Sequence, residues 1–235
     1  MTEPSLGRFD LFTAGVVERD SRVTVLASTG NQKFRGHLRN TGRLEDLIYP
    51  GATVVCKWKK SGKTDARVIG AVNDGSYVLL DTNIQEKFFG EILKDGALEW
   101  CPSEREIISQ VSFEEKRFDF GVKTKEGMGY IELKSAVTCE NGWASYPDAP
   151  SKRGLEHVKL LEKLSLSGHP AYVVFIVTHP DCDRFRPNGK IQPEMVNQLR
   201  SARRAGVKVF GIKMILTEDG EILLEDRDVP VSLEY

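Results

Sequence analysis

Short runs of β-branched and aromatic residues, separated by turn-forming residues, fill the first third of the chain. The runs are VTVLAS at 23–28, TVVCKW at 53–58, ARVIGAV at 66–72 and SYVLLDT at 76–82. Glycine-, proline- and asparagine-rich segments such as 73–75 lie between them and favour turns. Short strands at such regular spacing are typical of a small barrel or sandwich, so this pattern predicts an all-β unit.

From residue 84 the apolar pattern changes to helices alternating with strands. Ile84, Phe88 and Ile92 recur at helical spacing up to Gly96, which favours the end of a helix. The rest of the pattern predicts helices at 154–168 and 193–206 and strands at 117–123, 128–134, 172–178, 207–216 and 221–226. The sequence therefore predicts two domains, a β-barrel over 1–83 and an α/β domain over 84–235.

The composition is that of an ordinary soluble globular chain. Its 33 Lys+Arg and 34 Asp+Glu give a net charge of −1, which excludes a polybasic protein held to nucleic acid by bulk charge, but not a local basic groove. No apolar run approaches the ~20 residues that cross a bilayer, and no secretory signal is expected. We therefore expect a cytoplasmic protein without membrane contact, whose scattered cysteines are all free thiols: Cys56, Cys101, Cys139 and Cys182.

Three charged residues on two predicted strands form the candidate catalytic site. Glu132 and Lys134 point to one face of a strand, and a hairpin turning at 125–126 places Asp119 opposite Glu132, with Cβ atoms roughly 5 Å apart. Lys-Glu is poor turn chemistry, so we expect a longer connection that includes Gly127. Two carboxylates so close repel unless a cation or a proton lies between them.

Asp119 and Glu132 are therefore candidate ligands of Mg²⁺ or Mn²⁺, which prefer oxygen donors. Such an ion activates water and neutralises charge on a phosphate. Lys134 is the candidate for positioning or deprotonating that water, or for balancing the charge of the transition state. The pattern alone is weak, since a solvated strand face with Lys134 paired to a carboxylate has the same residues.

Three further segments carry groups that suit a phosphate-bearing ligand. A loop at 142–154 and the helix after it contribute Asp148, Lys152, Arg153 and His157. The segment 36–44 contributes His37, Arg39, Asn40, Thr41, Gly42 and Arg43. Candidates for base stacking and phosphate contact on the β unit are Lys57, Trp58, Lys59, Lys60, Lys63 and Arg67. The structural alternatives are a capped loop, a polar Asn-Thr-Gly corner and a solvated hairpin tip.

Several separated motifs, in order along the chain, resemble the sugar fermentation stimulation protein (SfsA) family. They are GHLRNTGRLEDLIYPG at 36–51, KRFDF at 116–120, YIELKSAVT at 130–138, YPDAPSKRGLEHVKLLEKL at 146–164, and RFRP to RAGVKV over 184–209. The resemblance implies a mixed α+β chain, an N-terminal OB-fold barrel followed by a PD-(D/E)XK nuclease-like domain. It implies DNA binding as the family's activity, with Asp119, Glu132 and Lys134 matching the family's D…ExK core.

One departure from the family pattern concerns the metal site. A family glutamate nine residues before the aspartate falls on Gln110. If that glutamate is a metal ligand, the nearby Glu106 is the candidate substitute.

The sequence leaves three functions open. The leading hypothesis is a DNA-binding protein without strong sequence preference, with a regulatory role left open. The alternative is a Mg²⁺- or Mn²⁺-dependent nuclease that uses Asp119, Glu132 and Lys134. A third is a regulatory or scaffold protein on a degenerate nuclease fold, which would keep its DNA affinity without the site. The apolar C-terminal strands also suggest an edge for a homodimer.

Overall fold

A short strand, β1 (Ser5–Arg8), precedes a closed β-barrel in the computed structural model, which describes residues 4–234. The barrel strands are β2 (Phe12–Ser21), β3 (Thr24–Thr29), β4 (Gln32–Leu38), β5 (Thr53–Trp58) and β6 (Ala66–Asn73). Antiparallel pairing joins them in the order β4-β3-β2-β5-β6, and a parallel pairing of β4 with β6 closes the ring. β7 (Ser76–Leu79) extends the sheet as a hairpin with β6. The predicted N-terminal barrel is confirmed.

The sequence pattern had not indicated β2 and β4, because both are rich in exposed polar residues. β4 contains Lys33 and Arg35, and β2 ends in a polar run that includes Glu18, Arg19 and Asp20. Only every second residue near these positions reaches the barrel interior. Because one face of β2 and β4 is exposed to solvent, these strands lack the apolar run by which the sequence pattern indicated the other barrel strands.

One helix connects the barrel to the second domain. α1 (Thr82–Asp95) begins at Asp81, whose side chain accepts hydrogen bonds from the backbone N–H groups of Asn83 and Ile84, and it ends at Gly96 with φ +72°. Its apolar residues pack between barrel strands and the sheet of the second domain, in one continuous core. The barrel and the α/β domain therefore share a hydrophobic core through α1.

The second domain is built around a seven-stranded mixed sheet. Its further elements are β8 (Glu106–Phe113), β9 (Lys116–Thr124), β10 (Gly127–Ala136), β11 (Thr138–Glu140), β12 (Trp143–Tyr146), α2 (Lys152–Leu166), β13 (Ala171–Val177), β14 (Arg184–Pro187), α3 (Pro193–Arg204), β15 (Lys208–Leu216) and β16 (Glu221–Asp226). The sheet order is β1-β16-β15-β13-β10-β9-β8, with β10, β13 and β15 parallel. β13 is buried along its whole length between parallel neighbours, as its apolar run predicted.

Helices cover both faces of this sheet. α2 and α3 pack on one face in a second core, while α1 and the barrel lie on the other. β11, β12 and β14 form a separate three-stranded sheet. The predicted loop at 142–154 therefore contains strand β12 and the first turn of α2. No helix among residues 4–234 is long and apolar enough to cross a membrane.

The first strand corrects the predicted division at residue 83. β1 does not join the barrel but pairs antiparallel with β16, at the edge of the seven-stranded sheet. Gly7 permits this, because a Cβ there would lie 2.7 Å from the ring of Phe88 on α1. β1 also covers β16, so the C-terminal strands are not the free edge suggested for a homodimer, and the homodimer stays a prediction.

The cysteines are not all free thiols as expected. Cys139 on β11 and Cys182 after β13 form a disulfide with Cα atoms 5.9 Å apart, while Cys56 and Cys101 are free and buried. The two bonded residues lie 43 positions apart in sequence. Spacing could not indicate the bond, because the pairing of β12 with both β11 and β14 creates the proximity.

Candidate active site

The β9–β10 hairpin has the register that the sequence predicted. Thr124 pairs with Gly127, and the same register runs to Phe120 and Ile131, so the next position brings Asp119 beside Glu132. The turn is only two residues long, which makes the expected longer connection wrong. Gly127, with φ +134°, is the residue that allows it.

Asp119 leaves the regular ladder at this point. Its Oδ2 accepts a hydrogen bond of 2.7 Å from the backbone N–H of Leu133, the residue between Glu132 and Lys134. Burial and the neighbouring Glu132 carboxylate raise the pKa of Asp119 to about 7, against the opposing effects of the Leu133 N–H and Lys134. Asp119 is therefore a carboxyl group whose ionised form lacks a sufficient counter-charge.

Glu132 and Lys134 form a buried ion pair on the same face of β10. Their exposed fractions are 5% and 9%, and the Lys134 ammonium donates to Glu132 Oε1. Burial opposes ionisation of both groups, but their mutual attraction lowers the pKa of Glu132 and raises the pKa of Lys134. Both are therefore charged, which favours Lys134 as a source of positive charge over Lys134 as a base.

His157 is the third member of this buried group. It was a predicted phosphate ligand, but its exposed fraction is 2% and its Nδ1 lies 2.5 Å from Glu132 Oε1. Its ring packs against Phe118, with centroids 5.8 Å apart. It therefore lies behind Glu132, where it holds the carboxylate. The sequence carried this signal, because His157 shares the buried face of α2 with Val158, Leu161 and Leu164.

The two carboxylates fit a divalent cation. Glu132 Oε2 is buried and has no hydrogen-bond partner within the described part of the chain, although a buried carboxylate oxygen normally has one. Asp119 beside it lacks counter-charge. Hard oxygen donors of this kind suit Mg²⁺ or Mn²⁺. Residues 4–234 contain no group of three or more His, Cys, Asp or Glu side chains placed to hold a metal, so the other ligands would be non-protein or backbone oxygens.

Neither Gln110 nor Glu106 adds a carboxylate to the site. Gln110, with φ +57°, donates its side-chain amide to Glu86 of α1. Glu106 lies opposite Lys123, with which it forms an ion pair of 3.4 Å. It is four residues from Gln110, about 13 Å along a strand. Glu86 is the acid that sequence analysis missed, and its charge contributes to the raised pKa of Asp119.

A cleft of about 890 Å³ between the barrel and the α/β domain has Asp119, Glu132 and Lys134 on its floor. One wall comes from the end of β4 and the segment after it, and the other from the segment that leads into α2. The cleft brings together most of the predicted residues: His37, Arg39, Asn40, Thr41, Gly42, Asp119, Glu132, Lys134, Asp148, Lys152 and Arg153. Arg43 lines an adjoining depression of about 520 Å³ that shares Arg22, Thr41 and Gly42 with the cleft.

Four exposed cations surround the carboxylate floor: Arg22, Arg39, Lys152 and Arg153. None of them forms a salt bridge with another residue in the range 4–234. Elsewhere on the surface, Arg8 and Arg35 are paired with acids, whereas Lys60 and Lys63 of the barrel also form no salt bridge within the described residues. The four cations of the cleft differ in lining one concave site together. Arg22 was not among the predicted residues, because it stands alone in a turn and only the fold brings it to the cleft.

Asp148 connects the two walls and is not free to contact a phosphate. Its Oδ2 accepts a hydrogen bond of 2.9 Å from the backbone N–H of Leu44. Gly42 allows this approach, since a Cβ there would overlap the Asp148 carboxylate. Arg19 fixes the same barrel segment by donating to the carbonyls of Gly42 and Arg43. We call the Asp148–Leu44–Gly42 contact the wall contact.

The basic face of the barrel lies outside the cleft. Trp58, 45% exposed, stacks on Phe12 with ring centroids 4.4 Å apart. Lys57 lies 5.1 Å over the Phe9 ring, and Lys59 donates to Thr64. Lys60 and Lys63 are exposed at the hairpin tip. Arg67 corrects a prediction, because its guanidinium is bound to the buried carboxylate of Asp81. DNA contact by the remaining residues of this face stays a prediction.

Comparison with protein families divides the chain in the same way as its fold. Residues 17–80 match the SfsA N-terminal OB domain, and residues 83–220 match the sugar fermentation stimulation protein RE domain. A solved structure of Pyrococcus furiosus SfsA in complex with Ca²⁺ has a TM-score of 0.92 at 31% identity, covering 97% of this chain and 99% of that one.

Similar proteins cover almost the whole chain. The sugar fermentation stimulation protein homolog of Pyrococcus furiosus is 33% identical over 213 residues, 91% of this chain and 93% of its own. The homolog of Thermoplasma volcanium is 31% identical over 225 residues, 93% of this chain and 97% of its own. With its OB barrel, its α/β domain and matches across both, the chain belongs to the SfsA family.

Proposed function

We propose that this protein binds DNA in the cleft, largely without sequence preference. The observation that supports this most directly is the set of four cations around the cleft that form no salt bridge within residues 4–234. Arginine and lysine side chains bind phosphate oxygens by charge-assisted hydrogen bonds. Contacts to phosphates give affinity and register but carry no sequence information. A cleft with this rim suits a nucleic-acid backbone.

Salt-dependent binding of a labelled DNA tests this proposal. We expect the double variant Arg39→Ala/Arg153→Ala to bind more weakly and to lower the slope of log K against log salt by about 1.5, because each lost phosphate contact removes about 0.7–0.9. The matched control is Lys59→Ala/Lys60→Ala, which removes the same charge from the barrel face. If the control loses affinity and the cleft variant does not, DNA lies on the barrel face.

Metal-dependent hydrolysis of phosphodiesters is the second candidate function. The unpartnered Glu132 Oε2 and the raised pKa of Asp119 support it, since both are relieved by a bound cation. The relative from Pyrococcus furiosus was solved with Ca²⁺. Here Asp119 and Glu132 would hold Mg²⁺ or Mn²⁺, which when bound supplies an activated water and neutralises phosphate charge. His157 keeps Glu132 oriented, and the Lys134 ammonium balances negative charge beside it.

Cleavage assays separate hydrolysis from binding alone. Circular single-stranded and supercoiled DNA would each be incubated with Mn²⁺, with Mg²⁺ or with EDTA. The control variant is Lys159→Ala, which removes an exposed lysine of α2. Cleavage by the wild type that needs metal, persists in this control and disappears in Lys134→Ala supports the nuclease. Salt-sensitive binding without cleavage under any condition favours the scaffold hypothesis.

A further inference from the structure

We propose that the cleft accepts DNA as a single strand and excludes the duplex. This inference rests on the proposed binding of DNA in the cleft and names the form of DNA that enters. Three features of the cleft support it: the depth of its floor, the fixed position of its walls and its limited volume.

The charged groups of the floor are accessible only from inside the cleft. Glu132 and Lys134 are almost completely buried, and Asp119 is partly buried beside them. A phosphate that contacts these groups, directly or through a cation, must descend between the walls. In a rigid, wide double helix each backbone is tied to the other by base pairing, so one backbone cannot descend between the walls without bringing the second strand with it.

Contacts on the barrel side fix the wall that would have to move. The carbonyl of Arg39 accepts hydrogen bonds from the backbone N–H and the hydroxyl of Thr82, at 3.1 and 2.8 Å. The Arg67 guanidinium binds Asp81, which is fully buried and caps α1. Beneath them, α1 joins both domains in one core. An opening motion would break these contacts and expose part of that core.

The wall contact fixes the opposite end of the same barrel segment. Asp148 approaches Gly42 and accepts the N–H of Leu44, so the barrel segment touches the segment that leads into α2. The segment is therefore held at Arg39 on one side and at Leu44 on the other. The width of the cleft is set by these contacts.

The cleft has the size of a small-molecule site. At about 890 Å³ it lies within the range of about 300–1,000 Å³ typical of sites that enclose one small molecule. The adjoining depression shares Arg22 and Thr41 with the cleft and is further lined by Arg43. A flexible single strand can follow this path and place successive phosphates beside these cations.

Binding of matched probes to the full-length protein tests the inference. A fluorescein-labelled 12-nucleotide DNA of mixed sequence is measured by anisotropy in EDTA, alone and annealed to its complement, at one salt concentration. We expect the single strand to bind at least ten-fold more tightly. Equal or tighter duplex binding overturns the inference and leaves DNA binding intact. If neither probe binds, the proposed function fails, and the inference fails with it.

Variants of the wall contact provide a second test. Asp148→Ala removes the acceptor for Leu44 N–H, and Gly42→Ala introduces a methyl group that overlaps the carboxylate. Both are expected to reduce the preference for single strand at least three-fold, whereas Asp148→Asn keeps an acceptor and retains the preference. Circular dichroism and thermal melts confirm folding. If Asp148→Ala and Gly42→Ala fold and keep the full preference, the walls do not exclude the duplex and the inference is overturned.

Discussion

His157 Nδ1 lies 2.5 Å from Glu132 Oε1, so the histidine binds the carboxylate and does not face the cleft. The same oxygen accepts a hydrogen bond from the Lys134 ammonium, and Oε2 has no partner among the described residues. One oxygen of Glu132 is thus held by the protein, and the other would be available to the proposed cation. Arrangements in which an outer residue fixes a metal-binding side chain are common in metalloproteins.

The first prediction is that His157→Ala weakens metal binding without weakening DNA binding. Loss of the hydrogen bond lets the Glu132 carboxylate rotate, and residues in such outer positions typically change metal affinity about 10–100-fold. Calorimetric titration with Mn²⁺ is expected to show this loss. DNA affinity in EDTA should match that of the wild type, because His157 lies outside the cleft.

The control is His169→Ala, which removes a histidine that contacts the Met128 carbonyl elsewhere in the domain. It should bind Mn²⁺ like the wild type. Equal metal affinity in the wild type and in a folded His157→Ala protein would show that the histidine does not position Glu132 for a cation.

The second prediction concerns the pH dependence of stability in the absence of metal. The pKa of Asp119 is about 7 in the folded protein and about 3.9 in the unfolded chain. Between these values the folded state holds a proton that the unfolded state releases, so the contribution of Asp119 to stability falls as pH rises from about 4 to 7. Asp119→Asn removes this penalty and keeps an acceptor for the Leu133 N–H.

Thermal melts in EDTA measure the effect. Because Asp119 is only partly buried, we expect Asp119→Asn to be more stable than the wild type by about 1–3 kcal/mol at pH 8, which corresponds to roughly 2–10 °C. The difference should disappear near pH 4. Mn²⁺ should then raise the melting temperature of the wild type more than that of the variant. A wild type that is the more stable protein at pH 8 in EDTA would contradict the raised pKa.

The position of Asp119 beside Glu132 could be predicted from the sequence, because hairpin register follows from simple counting. The Arg67–Asp81 pair also lies across a hairpin, β6–β7, in which Gly70 pairs with Leu79. It was not predicted, because the apolar run over 76–82 placed Asp81 inside a strand, whereas Asp81 follows β7 and caps α1, a buried position that needs the Arg67 charge. The periodicity of a single helix or strand can be recognised in the sequence, whereas contacts between distant elements depend on how those elements pack.

The roles of Asp148 and Glu86 also depend on packing and could not be predicted from the sequence. A carboxylate in a polar loop can bind a ligand or accept a hydrogen bond from a backbone N–H. Asp148 accepts the N–H of Leu44, because the barrel approaches it closely at Gly42. Glu86 lies within a helical pattern that gives it no distinguishing feature. Its relevance comes from its position near Asp119, whose pKa its charge helps to raise. The candidate cleft is formed by two domains, so neither domain's sequence pattern described it alone.

The third prediction is that Arg67→Ala strongly destabilises the fold. Its guanidinium is the counter-charge of Asp81, which is fully buried and caps α1. Removing one partner of a buried ion pair leaves an uncompensated charge and costs about 3–5 kcal/mol. Urea unfolding should show this loss. The surface control Arg43→Ala, which breaks an exposed pair with Glu45, should change stability by less than about 1 kcal/mol.

A comparable loss in the control, or none in Arg67→Ala, would show that the Arg67–Asp81 pair does not carry this role. The double variant Arg67→Ala/Asp81→Asn separates the buried charge from the cap. It should recover part of the stability, because Asn is neutral and still caps a helix.

The fourth prediction concerns the disulfide between Cys139 and Cys182. It closes a chain segment of 43 residues that includes β12, α2 and β13. A cross-link over such a segment restricts the unfolded chain and typically stabilises a protein by about 2–4 kcal/mol. We expect Cys139→Ala/Cys182→Ala to unfold at correspondingly lower urea concentration. Dithiothreitol should destabilise the wild type but not this variant, whereas Cys56→Ala/Cys101→Ala, which lacks only free thiols, should keep the full response to the reductant. A wild type whose unfolding is unchanged by reductant, with both thiols shown to be reduced, would mean that strand pairing alone holds β11 and β12 in place.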